Sequence, residues 1–300
     1  MSTIEFNDRV AVITGAGGGL GKTYAVELAK RGAKVVVNDL GGSTDGVGGS
    51  SSMADQCVKE IEEAGGTAVA NYDSVATPEG GESIIQTALD NFGRVDIVIN
   101  NAGILRDKSF TKLEPADLEI ILDVHLKGAF FVSQPAFRAM KEQNYGRFVF
   151  TASASGVWGN FGQANYAAAK TGLLGLSNVL SIEGAKKNIK SNVITPAAST
   201  RLTKELMGPL ADRLSPEHVT PLVVYLSSEA CEETHCIYDV GGGHYARIFV
   251  GLAPGWTKKG EPASAEEIAA NWQQIHEPGE FIVPMRSTDA MKAMMAALAD

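Results

Sequence analysis

The chain has 300 residues, 44% of them hydrophobic and 20% charged, which is the composition of an ordinary globular protein. Its net charge of −9 argues against a nucleic-acid partner, which would need a basic face. No apolar run reaches the roughly 18 residues that span a bilayer. The three cysteines show no metal-ligand spacing, and the N-terminus lacks the apolar segment of a signal peptide. We therefore predict a soluble cytoplasmic protein without a metal site or a membrane span.

Seven short apolar runs are predicted to form strands, because they are rich in β-branched residues and hydrophobic on both faces. Stretches with a single apolar stripe lie between them and are predicted to be helices. The predicted strands are 10–14, 34–38, 67–70, 95–100, 148–152, 192–195 and 236–240. The predicted helices are 20–31, 53–63, 79–92, 118–141, 164–186 and 216–228.

This alternation predicts an α/β fold with a Rossmann-like, doubly wound parallel sheet of about seven strands and helices on both faces. Residues 41–52 are rich in Gly and Ser, which favours a mobile surface loop, although the loop could also fold over a cofactor's adenosine end. The last fifty residues contain two helical patterns, 265–275 and 288–299, and are too few for a core of their own. We expect a main domain over 1–250 and a C-terminal extension over 251–300 that packs on or beside it.

A glycine motif, T-G-A-G-G-G-L-G, follows the first predicted strand and opens the first predicted helix. In that context the motif predicts a dinucleotide site, with an ordinary glycine-rich turn as the alternative. Gly15 permits the tight turn, Gly19 lets the backbone approach the pyrophosphate, and Gly21 lets the helix pack on the strand. The N–H groups at the start of the helix would then face the phosphates.

Asp39 ends the second strand, where a carboxylate accepts hydrogen bonds from the adenine ribose and repels a 2′-phosphate. No Arg or Lys occurs in the next several residues, so we predict NAD rather than NADP as the cofactor. An Asp that only caps a loop is the alternative. Asp73, after the third strand, is expected to bond the adenine amino group. Further predicted cofactor contacts are Leu20 in the glycine motif and, at the ends of the third and fourth strands, Ser74, Asn100, Ala102 and Gly103.

The most informative pattern is Y-A-A-A-K, formed by Tyr166 to Lys170, with Ser153 thirteen residues before the tyrosine. A free tyrosine has a pKa of about 10, which a nearby positive charge lowers. Residues four apart on a helix share a face, so Lys170 would activate Tyr166 as general acid or base and also hold the nicotinamide ribose. Ser153 would donate to the substrate oxygen. Most Tyr-x-x-x-Lys pairs are surface pairs, but the serine and the glycine motif argue against that here.

The motifs T-G-x-x-x-G-x-G, N-N-A-G, S-x12-Y-x-x-x-K and P-x-x-x-T occur in this order over about residues 9–245. By these motifs the chain resembles the short-chain dehydrogenase/reductase family. The resemblance implies that Ser153, Tyr166 and Lys170 are the catalytic triad and that Thr200, four residues after Pro196, holds the nicotinamide carboxamide. It also implies a homodimer or homotetramer assembled through the helices 118–141 and 164–186.

Two positions depart from the family pattern. Ala197 follows Pro196 where the family usually has P-G, and His125 stands where it often has Asn. The resemblance implies that His125 belongs to the catalytic set, partly through its backbone carbonyl, by bending its helix and holding a water in a proton relay. A role as metal ligand or as the base itself is the alternative.

A closer resemblance rests on G-A-G-G-G-L-G-K, V-V-N-D-L-G-G, G-V-x-G-N-F-G-Q-A-N-Y and D-V-G-G-G. These segments are similar to the dehydrogenase units of type 2 multifunctional enzymes of β-oxidation. The resemblance implies NAD-dependent interconversion of (3R)-hydroxyacyl-CoA and 3-ketoacyl-CoA. The alternatives are a 17β-hydroxysteroid or steroid-side-chain-CoA dehydrogenase, and an NAD-binding protein without catalysis.

Candidate substrate residues form two groups. Trp158 and Phe161 lie between the catalytic Ser and Tyr and are expected to wall the substrate pocket. Arg106 and Arg201, each with a Lys two or three residues later, are candidates to meet the phosphates of CoA. Solvated surface charges are the alternative for these cations.

Overall fold

A computed structural model of the chain describes residues 3–46, 48–200, 203 and 208–299. Within this part of the chain, eight strands form one sheet. They are β1 (Val10–Thr14), β2 (Lys34–Asn38), β3 (Thr67–Asn71), β4 (Ile97–Asn100), β5 (Gly146–Thr151), β6 (Ile189–Pro196), β7 (Cys236–Gly241) and β8 (His244–Ile248). Their order across the sheet is β3-β2-β1-β4-β5-β6-β7-β8.

The strands from β1 to β7 are parallel, and the order in which the chain adds strands reverses at β1, with β2 and β3 on one side and β4 to β7 on the other. Val12 pairs with Val36 of β2 on one side and with Val98 of β4 on the other. In a doubly wound sheet, ligands bind outside the carboxyl ends of the strands at such a switch point. The fold confirms the predicted Rossmann-like parallel sheet, and the switch point predicts a ligand site at the ends of β1 and β4.

The helices that alternate with the strands are α1 (Gly19–Lys30), α2 (Ser52–Glu63), α3 (Pro78–Phe92), α4 (Pro115–Leu122), α5 (Gly128–Gln143), α6 (Ala154–Trp158), α7 (Ala164–Gly184) and α8 (Thr220–Ser227). The single helix predicted over 118–141 was wrong, because a π-helical turn, Asp123–Lys127, separates α4 from α5. Short α6 was not predicted, since five residues are too few for an amphipathic pattern.

The sequence also missed β8. Only Gly242 and Gly243 separate it from β7, a connection too short for a parallel crossover, so the two strands form an antiparallel hairpin. Both glycines have positive φ, 56° and 84°. Hairpin turns require this conformation, which glycine adopts without strain. None of the residues of the strand is buried, and His244 and Arg247 interrupt its apolar residues, so it carries no buried-strand signal.

The central strands were predicted correctly because they are buried on both faces and are therefore rich in apolar residues. Every residue of β1 is buried, and α1 packs Tyr24, Ala25 and Leu28 against the same core. Apolar residues on both faces of a strand are the pattern of a sheet covered by helices on both sides. Local capping agrees with this arrangement: Thr77 caps α3 by accepting from Gly80 N at 3.1 Å.

The chain divides into two compact units, Met1–Arg247 and Ile248–Asp300. The second contains α9 (Ala265–Ala270), α10 (Trp272–His276) and α11 (Ser287–Ala299). Inside it, Leu252 and Ile282 form an antiparallel bridge, and Phe249 stacks on Phe281 with ring centroids 5.4 Å apart. None of its described residues is buried, as expected for a segment too short to form its own core.

Candidate active site

The glycine turn between β1 and α1 is tightly packed. Gly15 and Gly19 have positive φ, 65° and 52°, and a Cβ at Gly21 would lie 2.3 Å from the carbonyl oxygen of Gly15. Side chains at these positions would therefore strain the backbone or displace it. The turn is a backbone cradle at the N-terminus of a helix, and the residues present fit a dinucleotide's pyrophosphate. Leu20, also predicted, is half-buried against the core beside it.

Asp39 bridges two backbone segments next to this turn. Its Oδ2 accepts from Gly17 N at 2.8 Å, and its Oδ1 accepts from Gly41 N at 2.7 Å. A carboxylate oxygen has further lone pairs, so both oxygens keep acceptor capacity for the hydroxyls of a ribose. Asp39 thus holds the glycine turn as well as offering a negative charge at the predicted ribose position.

The residues predicted for the adenine follow β3. Asp73 is exposed, and its carboxylate accepts from Ser83 Oγ at 2.6 Å and from Asn71 Nδ2 at 3.0 Å. Ser74 Oγ accepts from Ala76 N at 3.2 Å and shapes the same loop. Both side chains therefore have hydrogen-bond partners within the protein, and their contacts with adenine stay predictions.

The N-N-A-G segment connects the end of β4 to the glycine turn. Asn100 points into the sheet domain and donates to Ser133 Oγ at 3.0 Å. The backbone N of Ala102 donates to Thr14 Oγ1 at 3.1 Å. A Cβ on Gly103 would lie 2.6 Å from Cε1 of His125, so the glycine leaves room for that ring.

The structure brings Ser153, Tyr166 and Lys170 together. Ser153 caps α6, and its Oγ accepts from Ser155 N at 3.2 Å. Helix α6 packs closely on α7, because a Cβ at Gly156 would lie 2.8 Å from the Cβ of Lys170. The Lys170 Nζ lies 5.6 Å from the centroid of the Tyr166 ring and donates to the carbonyl oxygen of Thr151 at 2.6 Å.

Burial is the main cause of the pKa shifts of Tyr166 and Lys170. It raises the pKa of the Tyr166 hydroxyl, and the bond with the Ser153 hydroxyl opposes that rise. Burial lowers the pKa of Lys170 to about 7. The sequence led us to expect a lowered tyrosine pKa from the lysine charge. Desolvation instead decides the direction of both shifts, because burial penalises the charged form of each group.

His125 lies in the π-helical turn Asp123–Lys127 and is buried. Its ring meets the Tyr166 ring edge to face, with centroids 5.2 Å apart and an interplanar angle of 85°. Burial, and then the charge of Lys170, holds the pKa of His125 well below its usual range, so the imidazole is neutral. A π-turn within a helix is frequent at functional sites.

The segment after β6 reaches the glycine turn. Pro196 ends β6 in register with Val240, and the methyl carbon of Thr200 lies 3.5 Å from the position a Cβ would take at Gly19. The predicted carboxamide residue therefore lies beside the predicted pyrophosphate cradle. Arg201 lies outside the described residues, as does the lysine at 204.

The predicted substrate residues within the described part of the chain are two exposed aromatic side chains and an arginine that contacts a neighbouring loop. Trp158 and Phe161 are 71% and 89% exposed, and their place in the wall of a substrate pocket stays a prediction. Arg106 donates to the Asp45 carbonyl oxygen at 2.8 Å and lies 3.9 Å from Asp117, which Lys108 contacts at 2.6 Å. The two cations thus hold the loop after β4 in place, and a further role towards CoA stays a prediction.

Three positioning residues were not predicted. Asn165 is buried, and its Nδ2 donates to the backbone oxygens of Arg106 and Asp117, each at 3.1 Å. Gln163 donates to Asp107 Oδ2 at 2.7 Å, which ties the start of α7 to the same loop. Asn101 anchors the glycine turn through its side-chain amide. The segment G-Q-A-N-Y contained the first two, but only the structure shows what they contact.

A doubly wound sheet with a glycine turn and a Ser–Tyr–Lys set at its strand ends defines a class of dinucleotide-dependent oxidoreductases. Residues 9–208 match the short chain dehydrogenase family, and the chain belongs to that family. The family generally uses NAD or NADP. None of the helices in the described part of the chain has the length and hydrophobicity of a bilayer-spanning segment.

Three individual proteins are similar to this chain over most of its length. Peroxisomal multifunctional enzyme A of Dictyostelium discoideum is 48% identical, over 98% of this chain and 66% of that protein. A short-chain type dehydrogenase/reductase of Mycobacterium tuberculosis is 51% identical, over 89% of this chain and 94% of that protein. The structure of full-length peroxisomal multifunctional enzyme type 2 from Drosophila melanogaster matches with a TM-score of 0.83 and 37% identity, over 99% of this chain and 50% of that chain. The chain therefore spans only part of its multifunctional relatives.

Proposed function

We propose that this enzyme interconverts (3R)-hydroxyacyl-CoA and 3-ketoacyl-CoA with NAD. The observation that carries the proposal is the assembly of Ser153, Tyr166 and Lys170 beside the glycine turn, in a chain similar over nearly its whole length to type 2 multifunctional enzymes. The multifunctional relatives are longer, so the dehydrogenase step alone is proposed for this chain.

The preference for NAD rests on Asp39. Its carboxylate lies next to the glycine turn and bonds backbone N–H groups of Gly17 and Gly41, which fixes its orientation. A 2′-phosphate at the ribose would meet this negative charge, whereas ribose hydroxyls can donate to it. Bound NAD supplies the hydride acceptor for oxidation, and its reduced form supplies the donor for reduction.

The chain's own residues handle the proton and the oxygen. In oxidation, Oη of Tyr166 takes the proton of the substrate's 3-hydroxyl, and in reduction it returns a proton to the carbonyl oxygen. Ser153, next to that hydroxyl, donates a hydrogen bond to the same substrate oxygen as charge develops. Lys170 is held against the Thr151 carbonyl and favours the phenolate when it carries its charge.

The first experiment measures NADH formation with (3R)- and (3S)-hydroxyacyl-CoA of several chain lengths and with a 17β-hydroxysteroid. Turnover with the (3R) thioesters alone would support the proposal, and parallel assays with NADP would test the cofactor. Turnover with the steroid alone would favour the second candidate, a hydroxysteroid or steroid-side-chain-CoA dehydrogenase. Binding of NADH without any turnover would favour an NAD-binding protein without catalysis.

We also propose that the chain is a homodimer or homotetramer. Val179 and Ile182 on α7 are exposed, as is Phe130 on α5. Gly175 lies on the same face of α7 as the first two and would allow a second copy to approach closely. Sedimentation of Val179→Arg should show a smaller species than the wild type; an unchanged mass would reject α7 as the interface. The cytoplasmic location and the role of residues 251–300 as an extension of the main domain stay predictions.

A further inference from the structure

The Gly- and Ser-rich loop after β2, residues 41–51, is closed at its base. The backbone N of Ser50 donates to the carbonyl oxygen of Leu40 at 2.9 Å. Gly41 has a φ of 73°, and a Cβ added to it would collide with the backbone of Ser50. Its backbone N donates to Asp39 Oδ1 at 2.7 Å, next to the predicted ribose position. The start of the loop is therefore fixed at the cofactor side of the site.

Further along, the same loop is bonded to the loop after β4. The carbonyl oxygen of Thr44 accepts from the backbone N of Leu105 at 3.0 Å. The carbonyl oxygen of Asp45 accepts from Nε of Arg106 at 2.8 Å. A loop of this composition is expected to be flexible when nothing holds it. Two hydrogen bonds to a neighbouring loop instead give this part of it a defined position.

Gly46 brings the backbone of the loop close to apolar side chains. Its φ is 85°, and a Cβ added to it would lie 2.8 Å from Cδ1 of Ile104 and 3.4 Å from Cδ1 of Ile120. Gly48 has a similar φ of 75°, but an added Cβ would meet no described atom within 4 Å. Glycine is thus suited to both backbone conformations, and only at Gly46 does it also allow a close contact.

The loop after β4 in turn contacts the catalytic set. Ile104 is buried in a small apolar cluster, and Tyr166 packs against that cluster. Asn165, the residue before Tyr166, donates from Nδ2 to the carbonyl oxygen of Arg106 at 3.1 Å. The position of residues 104–106 therefore bears on the position of the general acid or base at the start of α7.

We propose that the loop after β2 holds the loop after β4 in the position that turnover requires, and that Gly46 is a positioning residue for the substrate side of the site. A side chain at Gly46 displaces Ile104, and the displacement reaches Tyr166 through their shared cluster. Shifts of about 1 Å at reacting groups can cost on the order of 10²-fold in rate. The cofactor side is spared, because the base of the loop is closed separately at Gly41.

A matched pair of glycine substitutions tests the proposal, and this kinetic test rests on the proposed function. Gly46→Ala and Gly48→Ala both place a Cβ at a positive φ, but only the first meets Ile104. We expect Gly46→Ala to lower kcat for a (3R)-hydroxyacyl thioester about fivefold or more, with the Kd for NADH within about twofold of the wild type. Gly48→Ala should leave both close to wild type. An unchanged kcat, equal losses in the two variants, or a matching loss of NADH affinity would overturn the proposal.

A compensating substitution tests the contact itself. Valine lacks the Cδ1 methyl of isoleucine, which is the atom nearest to the added Cβ. Adding Ile104→Val to Gly46→Ala should therefore raise kcat about threefold or more above that of Gly46→Ala, a coupling expected only of residues in contact. A double variant no faster than Gly46→Ala would show that the loss does not arise at Ile104.

Hydrogen exchange tests the connection between the two loops without turnover. The amide of Leu105 is bonded to Thr44, so its exchange rate reports whether the loops stay together. We expect Gly46→Ala to speed this exchange about fivefold or more relative to both the wild type and Gly48→Ala. Equal rates in all three proteins would overturn the proposal. If the wild type turns over no hydroxyacyl thioester, the proposed function fails, whereas the exchange rates still decide whether Gly46 positions the loop after β4.

Discussion

The side-chain amide of Asn101 secures the glycine turn from the neighbouring strand, because its Nδ2 lies 3.2 Å from the carbonyl oxygen of Gly15 and 3.1 Å from that of Thr14. The backbone N of Asn101 in turn donates to Thr14 Oγ1 at 3.0 Å. These bonds connect the ends of β1 and β4 at the switch point of the sheet. The cradle proposed for the pyrophosphate is therefore held by a residue that need not touch a cofactor.

Asn101→Ala should lower both stability and cofactor affinity. The substitution leaves two carbonyl oxygens without this donor, which corresponds to about 1–3 kcal/mol in the free energy of unfolding. NADH affinity should fall because the turn is less well held. Denaturant unfolding and NADH fluorescence titration measure the two effects. Asn91→Ala, which removes an exposed bond to Thr87, is the control and should change neither by much; equal effects from both variants would contradict this account.

Tyr166→Phe should abolish turnover while NADH still binds. The substitution removes only the hydroxyl that exchanges the proton, and general acid–base catalysis contributes about 10²–10⁴-fold to rate. Steady-state kinetics and NADH titration on the same preparation provide the comparison. Retained turnover would refute the role assigned to this tyrosine.

Lys170 should make stability depend on pH. Its pKa is about 7 in the folded chain against about 10.5 when unfolded, so the unfolded state binds more protons between these values. The wild type should therefore gain stability as pH rises through this window, by up to about 1.4 kcal/mol per unit, and lose it as pH falls towards 7.

Lys170→Met lacks this titration, so its stability relative to the wild type should decline from pH 7 to pH 10. The lost bond to Thr151 contributes a constant offset and does not alter the slope. Urea unfolding of both proteins at three pH values measures the difference, and parallel pH curves would show that Lys170 is not buried as a weak base.

Asp39→Asn should narrow the preference for NAD. The amide removes the charge that repels a 2′-phosphate, yet it can still accept one of the two backbone bonds. We expect the ratio of kcat/KM for NAD to that for NADP to fall by about tenfold or more. Asp90→Asn, an exposed change on α3, is the control for net charge, and a ratio that moves equally in both variants would argue against the ribose position of Asp39.

Trp158→Ala should raise KM for the acyl thioester more than it lowers kcat. The indole is 71% exposed, so its apolar surface is free to cover a substrate. KM for NAD, measured in the same assays, is the internal reference. An unchanged KM for the thioester would remove Trp158 from the substrate site.

The buried parts of the fold were predictable because their signal is local. A strand covered on both faces is apolar on consecutive residues, as Val10–Ile13 of β1 and Val35–Val37 of β2 are. A glycine-rich turn between such a strand and a helix is typical of a dinucleotide site. Two elements were not predicted, because the residues that form them carry no clear hydrophobic pattern. The hairpin strand β8 is half-exposed, and no periodicity reveals that Asp123–Lys127 forms a π-turn inside a continuous apolar stripe.

The sequence by itself determined the fold class, the glycine turn and the order of Ser153, Tyr166 and Lys170, because strand hydrophobicity and helical spacing are properties of neighbouring residues. Only the tertiary structure decided what surrounds them. It placed Gly103 against His125, Asn101 against the glycine turn, and burial around Tyr166 and Lys170. Hydrogen bonds and desolvation depend on groups that are distant in the chain, so partners and pKa shifts follow from packing and cannot be read from spacing alone.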